Sequence, residues 1–369
     1  MKYYIIAGEA SGDLHGSNLI KALKKEDPKA DIRCWGGDLM EEAGGDLAKH
    51  YKEMAFMGFL EVLLNLGAIF KNIRYCKEDI EKFSPDVIIF IDFSGFNLRI
   101  AQWAKKLNYN TNYYISPQVW ASRAGRVVKI KRDIDAMYVI LPFEPEFYAR
   151  QGMEVTFVGH PLLDALANRT KAIPDSFRTT HGLDPEKPIV ALLPGSRKQE
   201  VSRMLSIMLQ TASQFPEYQF VVAGAPSLDA SFYKEILKDS NAILIPNKTY
   251  ELLSISYAAL VTSGTATLET ALIGVPQVVC YKGNWLSYQI ARRLITLEFI
   301  SLVNLIMEKE VVQELIQAEL NPKNLSESLR RILSGPDREE QIQAYQKLKE
   351  KLGGPGASLK TARLILEKM

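Results

Sequence analysis

Cysteine and histidine are scarce in this chain of 369 residues, which has 3 of the first and 4 of the second. Cys34, Cys76 and Cys280 lie far apart and are odd in number, which is typical of reduced cytosolic thiols and not of a disulfide framework. The histidines are equally scattered, and neither an HExxH pattern nor a cluster of His and Cys occurs. The sequence therefore predicts no dedicated metal site.

A large excess of charge of either sign is also missing. The chain has 45 Lys and Arg against 43 Asp and Glu, a formal net charge of +2, which argues against a dedicated nucleic-acid-binding protein. Hydrophobic residues make up 47% and charged residues 24%, so a mainly disordered or fibrous protein is excluded. At about 100–200 residues per domain, the length predicts two or three domains.

No apolar run is long enough to cross a membrane. The run at residues 3–7 is shorter than the core of a signal peptide and predicts a buried first strand. The longest run, residues 54–70, contains Glu61 and Asn65 and falls short of the roughly 20 apolar residues of a span. As a helix it is apolar on most faces, so it must bury itself in a core, a partner or a membrane interface.

Short apolar runs alternate with longer helical patterns, which predicts parallel sheets with helices on both faces. The predicted strands are 3–7, 32–35, 87–91, 112–115, 136–140 and 155–158, then 189–193, 219–223, 242–245, 259–262 and 277–281. A stretch rich in proline and polar residues, 168–188, separates the two series. We predict an α/β fold with two Rossmann-like, doubly wound domains that face a central cleft, at 1–167 and 168–335. Helices at 336–369 are predicted to pack back on the first domain.

Small residues follow the first predicted strand. Gly8 and Gly12 let the backbone approach a ligand, and the helix that follows offers free N–H groups at its N-terminus. The spacing is not GxGxxG, which disfavours a nicotinamide cofactor. Asp13 fits two interpretations equally well, as part of a ligand-binding loop and as the N-cap of the helix.

Asp92 comes directly after the buried strand predicted at 87–91. Ligands of parallel sheets bind beyond the carboxyl ends of the strands, and partial burial there would raise the pKa of a carboxyl group and suit it to general-base catalysis. Because a cap lies immediately before its helix, we assign the capping of the next helix to Asn97, which leaves Asp92 for catalysis.

A basic run follows the strand predicted at 112–115 and the residues 116–122. Its members recur at a spacing of three, with Lys131 beside them: Arg123, Arg126, Lys129 and Arg132. On one helix face they would meet a phosphate or anionic headgroups, and a solvated charged face is the alternative. The lack of an acid before Asp133 favours binding.

Two loops of the second half resemble each other in composition. The strand at 189–193 is followed by Gly195, Ser196 and Arg197 at the start of a helix, where free N–H groups and a guanidinium suit a diphosphate. The strand at 259–262 leads into small and hydroxyl residues, and Glu269 lies one turn into the helix, where its carboxylate would accept from ribose hydroxyls. The alternative for Glu269 is a capping box or an interaction with the helix dipole.

Together these loops predict a nucleotide-diphosphate site in the second domain and an acceptor site with a carboxylate base in the first. With no metal motif, helix dipoles and an arginine would stabilise the charge of the leaving group. This combination indicates a metal-independent glycosyltransferase with two Rossmann-like domains.

At these residues the chain resembles the lipid-A-disaccharide synthase family, bacterial glycosyltransferases of the GT-B type. The motifs that carry the resemblance are AGEASGD at 7–13, PDV…ID…FN at 85–97, SPQVWAS-R at 116–123, VGHPLLD at 158–164, LLPGSR-x-x-EV at 192–201, SGTATLE at 263–269 and a late segment at 301–317. They are spread in order over most of the chain.

The resemblance implies that UDP-2,3-diacylglucosamine is the donor and 2,3-diacylglucosamine 1-phosphate the acceptor, with no cofactor. The products would be a β-1,6-linked disaccharide 1-phosphate and UDP, formed with inversion. Asp92 would take the proton, with Glu9, Asp13 and His15 as candidate assistants. The implied donor-binding residues are Gly195, Ser196, Arg197, Ser263, Gly264, Thr265, Ala266, Thr267, Glu269, Asn304, Glu310 and Gln313. The implied acceptor and lipid contacts are Ser11, Gly12, Asn97, Gln118, Trp120, Arg123, Arg126, Met57, Phe59, Leu60 and Leu63.

The chain departs from the family pattern at three positions. Many members have a second acid where this chain has Gly95, and they usually have Trp at Ser122 and Pro at Val303. With Gly95 in place of the second acid, Asp92 would act without that neighbour. The other two differences bear on acyl-chain or sugar contacts, and the donor motifs are intact.

The resemblance also gives the run at 54–70 a role. Both substrates carry acyl chains, so a helix there with flanking lysines and arginines would lie in the surface of the inner membrane of a Gram-negative bacterium and admit lipid. Packing in the core of the first domain is the alternative. The sequence leaves the oligomeric state open.

Other functions make different predictions. A UDP-N-acetylglucosamine 2-epimerase of the same fold would need a closed polar sugar pocket and no exposed apolar helix. A non-catalytic nucleotide- or lipid-binding module would be indifferent to the loss of Asp92. An NAD-dependent oxidoreductase is disfavoured because GxGxxG is absent.

Overall fold

The computed structural model describes residues 1–53, 66–121, 124–167, 176–283 and 298–369. Its contacts divide the chain into two units. The first unit comprises Met1–Arg169 and Leu352–Met369, and the second comprises Thr170–Lys351.

The first unit is built on a parallel sheet with the strand order β3-β2-β1-β4-β5-β6-β7 in the described residues. The strands are β1 (Lys2–Ala7), β2 (Asp31–Gly36), β3 (Asp46–His50), β4 (Val87–Ile91), β5 (Asn110–Tyr114), β6 (Ala136–Val139) and β7 (Thr156–Phe157). The helices are α1 (Ala10–Glu26), α2 (Asp38–Glu42), α3 (Leu66–Phe83), α4 (Ser94–Lys106), α5 (Val127–Asp133), α6 (Glu144–Arg150) and α7 (Pro161–Ala167).

The second unit repeats this plan with the strand order β10-β9-β8-β11-β12-β13, again parallel. Its strands are β8 (Ile189–Leu193), β9 (Gln219–Gly224), β10 (Ile243–Pro246), β11 (Ala258–Thr262), β12 (Gln277–Tyr281) and β13 (Glu314–Ile316). The helices are α8 (Phe177–Thr180), α9 (Lys198–Ala212), α10 (Ala230–Leu237), α11 (Thr249–Ser254), α12 (Thr265–Ile273), α13 (Leu302–Met307), α14 (Pro322–Ser334) and α15 (Asp337–Lys351), and α16 (Ala357–Glu367) belongs to the first unit.

The central strands are buried on both faces, which explains why the sequence shows them as unbroken apolar runs. Every residue of β4, β8 and β11 is buried. Separate apolar clusters cover the two faces of each sheet. Two doubly wound parallel-sheet units are thus confirmed.

The apolar periodicity of the sequence predicts helices at 14–25 and 98–107, and the helices that follow β1 and β4 begin four residues earlier. Residues 10–13 form the first turn of α1, and residues 94–97 that of α4. Asn97 is therefore inside its helix, and its assignment as the cap was wrong; the cap position is Phe93. The strands β3 and β13 were not predicted, because neither DLAKH nor the three-residue ELI forms a continuous apolar run of strand length.

The C-terminal tail divides between the two units. The sequence predicted that residues 336–369 pack back on the first domain, but α15 has its contacts on α12, α13 and α14 of the second unit. Only α16 joins the first unit, where it packs against α1 and α7. Asp164 of the VGHPLLD motif accepts hydrogen bonds from the backbone N–H groups of Gly356, Ala357 and Ser358, so this motif holds the start of α16.

Candidate functional site

In each unit the loops that the sequence singled out flank the point where the strand order reverses. β1 lies beside β4 in the first unit, and β8 lies beside β11 in the second. In such sheets the connections on either side of this switch point leave in opposite directions and open a crevice at the carboxyl ends of the strands. The Gly8 and Asp92 loops therefore share one crevice, and the 194–197 and 263–264 loops share the other.

Asp92 and Phe93 form a strained turn at the end of β4. Their φ angles are 44° and 46°, and two consecutive non-glycine residues in the left-handed region cost free energy that the surrounding structure must supply. The turn is held through its main chain, because the Asn97 amide donates to the Asp92 carbonyl at 2.8 Å and the Tyr113 hydroxyl donates to the same oxygen at 2.5 Å. Asn97 and Tyr113 are fully buried. Strain of this kind is concentrated at functional sites.

The electrostatics of Asp92 suit a base that works near neutral pH. The pKa of its carboxyl group is raised to about 6, mainly by burial and in addition by the nearby charge of Glu9, while the Phe93 N–H acts in the opposite direction. Above pH 6 the carboxylate is therefore ionised yet still able to take up a proton.

Gly8 brings the β1 loop close to this turn. A Cβ atom at Gly8 would lie 2.3 Å from the ring of Phe93, so only glycine allows the contact. Glu9 occupies the cap position of α1 without a side-chain cap bond and is half-buried. The two loops thus pack directly on each other, and Glu9 is the predicted assistant whose charge reaches Asp92.

Of the other two predicted assistants, Asp13 is engaged in a helix cap and His15 is half-buried. Asp13 is buried, and its carboxylate accepts from the backbone N–H groups of Gly37, Leu39 and Met40. It therefore caps α2, whereas one of the two interpretations of the sequence made it the cap of α1. Burial lowers the pKa of His15 to about 4. Its Nδ1 atom is buried without a hydrogen-bond partner in the described part of the chain.

We expect the charge of Glu9 to be measurable in the pH dependence of the reaction. Glu9→Gln removes a negative charge beside Asp92, so the pKa of Asp92 falls and the carboxylate stays ionised to lower pH. The acidic limb of kcat/KM should move down by about half a pH unit, as expected for a partly screened charge. Glu146→Gln, on the exposed surface of α6, is the control and should leave the limb in place. An unchanged limb in both variants would contradict the coupling.

Glu144 was missed by the sequence analysis although it organises the loop at 116–121. It is buried, and burial raises its pKa to about 7. The Ser116 hydroxyl donates to its carboxylate, which also accepts from the Ile140 and Leu141 N–H groups. Nothing in the local pattern LPFEPEF distinguishes this glutamate from an exposed one.

The predicted acceptor residues differ in exposure. Ser11 and Gln118 are exposed, Gly12 is buried against β1, and Trp120 is half-buried with its ring edge-on to Phe143 at 5.0 Å. Ser122, Arg123, Met57, Phe59, Leu60 and Leu63 lie outside the described residues.

Only part of the basic run lies on a helix in the described residues. α5 begins only at Val127, after the half-buried Arg126, and Arg132 pairs with Asp133 at 2.6 Å. Lys129 and Lys131 are exposed. Arg123 lies outside the described residues and Arg126 lies in a helical turn before α5, so the predicted stripe stays a prediction.

The 194–197 loop of the second unit exposes its polar groups at the start of α9. Gly195 has a φ of 110°, a conformation that favours glycine, and Arg197 is the cap residue of the helix. Ser196 and Arg197 are exposed, and the Arg197 guanidinium pairs with Glu200 at 2.8 Å. On the other side, the Ser227 hydroxyl donates to the Ser196 carbonyl at 2.8 Å.

The 263–269 loop presents Gly264 and Thr265 at the surface and uses its other hydroxyls internally. Thr267 is buried and donates to the Gly264 carbonyl, and Ser263 donates to the Ile300 carbonyl at 3.2 Å. Ala266 is half-buried. Glu269 is half-buried as well and accepts from the Tyr250 hydroxyl of α11 at 2.7 Å. Tyr250 was missed because its position next to Glu269 depends on the packing of α11 against α12.

The late segment is organised by a buried network. Asn304 is fully buried, donates to the Val312 carbonyl and to Glu314, and accepts from the N–H groups of Val311 and Val312. Its amide is thus used within the protein, and Glu314 also accepts from the Ile300 and Ser301 N–H groups. Glu310 and Gln313 line a groove with Glu327 and Arg331 along β13, two strands away from the switch point. Their predicted place in the donor site stays a prediction.

Two absences hold for the part of the chain that the structure describes. No group of three or more His, Cys, Asp or Glu side chains there is arranged to hold a metal ion. No helix in these residues is both long and apolar enough to cross a membrane.

Comparison with known proteins identifies relatives over the whole length. A family described as lipid-A-disaccharide synthetase matches residues 3–367. The lipid-A-disaccharide synthase of Syntrophus aciditrophicus is 42% identical, over 98% of this chain and 96% of that protein. The protein of the same name from Geobacter metallireducens is 39% identical at the same coverage.

Solved structures show the same fold at low identity. A UDP-GlcNAc 2-epimerase from Neisseria meningitidis, bound to UDP-GlcNAc, has a TM-score of 0.71 and 14% identity and covers 100% of both chains. A calicheamicin glycosyltransferase has a TM-score of 0.63 and 15% identity over 100% of this chain and 98% of its own. At these identities the likeness extends to the fold alone.

Proposed function

The chain belongs to the lipid-A-disaccharide synthetase family, and from this premise we propose the substrates and the residues of its hexosyl transfer. The donor is UDP-2,3-diacylglucosamine, and the acceptor is 2,3-diacylglucosamine 1-phosphate. The products are a β-1,6-linked disaccharide 1-phosphate and UDP. Membership of this family supports the reaction class, which is the transfer of a sugar in lipid A biosynthesis. The motif residues support the assignment of roles.

In the proposed reaction the acceptor's 6-hydroxyl oxygen attacks the anomeric carbon of the donor sugar. The bond between that carbon and the β-phosphate oxygen breaks, UDP leaves with the electron pair, and the configuration inverts. Asp92 takes the proton of the hydroxyl. The observation that carries this role is a carboxylate with a raised pKa in a strained turn at the switch point.

We propose that the second unit stabilises the negative charge that develops on UDP. We assign the diphosphate to the Ser196 N–H, the N-terminal turn of α9 and the Arg197 guanidinium, which are exposed donors at a helix start. Glu269 is assigned to the ribose hydroxyls, with the Tyr250 hydroxyl orienting it.

The acyl chains of both substrates require contact with lipid, and we propose that the first unit binds the inner-membrane surface peripherally. Phe70 on α3 is 62% exposed, and the exposed Lys71 and Arg74 lie on the same helix. An exposed aromatic ring beside cations suits the interface of an anionic bilayer. Co-sedimentation with anionic vesicles should exceed that with neutral ones, and equal recovery from both would contradict this part.

The experiment for the reaction is product formation from the two purified glycolipids, in mixed micelles with a chelator present. We expect the disaccharide 1-phosphate and UDP in equal amounts. UDP binding without disaccharide formation, together with conversion of UDP-GlcNAc to its 2-epimer, would overturn the proposal in favour of an epimerase.

A further inference from the structure

Glu200 lies in the first turn of α9 and takes up the two donors that we assigned to the donor's diphosphate. One carboxylate oxygen accepts from the Arg197 guanidinium at 2.8 Å. The other accepts from the Ser196 backbone N–H at 3.3 Å. The Glu200 carboxylate thus binds the same two groups that would bind the diphosphate of the donor.

We propose that Glu200 is an internal competitor of the diphosphate, which occupies this subsite in the donor-free enzyme and leaves it when the donor binds. Two anions cannot accept from the same guanidinium edge and N–H group, and they repel at contact distance. Glu200 therefore lowers the affinity for the donor and for UDP alike. This inference rests on the proposed diphosphate site.

The local structure permits the exchange. The Arg197 side chain is 61% exposed and that of Glu200 is 34% exposed, and a pair this accessible contributes little to stability. The Ser227 hydroxyl holds the Ser196 carbonyl from the other side, so the loop keeps this support when Glu200 departs.

Gly195 keeps open the space that the carboxylate uses. A Cβ atom at this position would lie 2.8 Å from a carboxylate oxygen of Glu200 and 3.0 Å from its Cβ atom. The contact between Glu200 and the loop thus depends on a glycine with a φ of 110°.

A purely structural role makes a different prediction. A glutamate at the third position of a helix often bonds backward to an N–H group as part of a capping box. Removal of a cap loosens the loop, so UDP binding would weaken or stay the same. Removal of a competitor strengthens UDP binding, because a ligand's apparent affinity is reduced by the fraction of protein in the incompetent state.

The test is Glu200→Gln, which keeps the size and one acceptor atom but removes the charge. We expect the Kd for UDP, measured by calorimetry, to fall about five-fold, and the KM for the donor to fall while kcat does not rise. Raising the salt concentration should shrink the difference, because the competition is between charges. Glu146→Gln on α6, which breaks a pair with Arg150 of similar geometry, should leave both constants unchanged.

The outcomes separate the two proposals. Unchanged or weaker UDP binding by a folded Glu200→Gln variant would overturn the competitor role and leave the diphosphate site standing. Failure of the wild-type protein to bind UDP would overturn the site and the inference together. If Glu200→Gln does not fold, Glu200→Asp is the second variant. Its shorter side chain keeps the negative charge near the start of the helix but is too short to contact Arg197. Tighter UDP binding by Glu200→Asp would support the competitor role, and equal binding would oppose it.

Discussion

Asp92→Asn is expected to lower kcat by about 10²–10⁴-fold while the KM values change little, because a positioned general base contributes about that factor. Asparagine tolerates the left-handed backbone of this turn, so the geometry of the loop should survive. Asparagine also carries no charge, and the raised pKa of Asp92 means that its charge is unfavourable in the folded state. The thermal midpoint at pH 8 should therefore not fall.

Asp86 offers a matched control just before the same strand. It precedes β4 at the amino end, is exposed, and accepts from the Lys2 N–H at 2.7 Å. Asp86→Asn should retain activity within about two-fold and lose at most a little stability, as surface substitutions do. An Asp92→Asn variant as fast as the wild type would exclude Asp92 as the base and leave Glu9 as the nearest carboxylate to test.

Arg197→Ala is expected to weaken UDP binding by about 10–100-fold, which is the range for losing a hydrogen-bonded cation from an anion. The side chain is mostly exposed, so the loss of packing is small and the unfolding midpoint should hold. Arg197→Lys should recover only part of the affinity, because an ammonium group cannot bond to two phosphate oxygens as a guanidinium does. Calorimetric titration with UDP measures both.

Arg150→Ala is the control for the loss of one exposed arginine. Arg150 pairs with Glu146 on α6 and lies far along the chain from the 194–197 loop. It should leave UDP binding unchanged. Equal affinities for Arg197→Ala and Arg150→Ala would remove Arg197 from the donor site and place the diphosphate on backbone groups alone.

The fold was predictable from the sequence because parallel strands are buried on both faces. β4, β8 and β12 have the predicted bounds at both ends. The small residues after β1, β4, β8 and β11 were also visible as loops, and the strand order explains why these four matter.

The sequence could not reveal which groups a polar side chain bonds to. Asp13 bonds to backbone groups 24 to 27 residues away, and Asn304 closes a loop to Val311 and Val312. The same residue type can bind a ligand in one place and stabilise a loop in another, and the sequence does not distinguish the two roles. Only the three-dimensional contacts separate Asp92, whose carbonyl is braced, from Asn97, which does the bracing.

The position of α16 has a consequence for how the protein is made. The residues of the first unit are split by roughly 180 residues of the second, and Ala362 and Ile365 of α16 belong to the same apolar cluster as Leu19 and Leu23 of α1. At about 5–20 residues per second, a ribosome reaches α16 some 10–40 seconds after it finishes the rest of the first unit. During that interval the face of α1 that α16 covers is exposed, so the core of the first unit is completed only after the whole second unit has been synthesised.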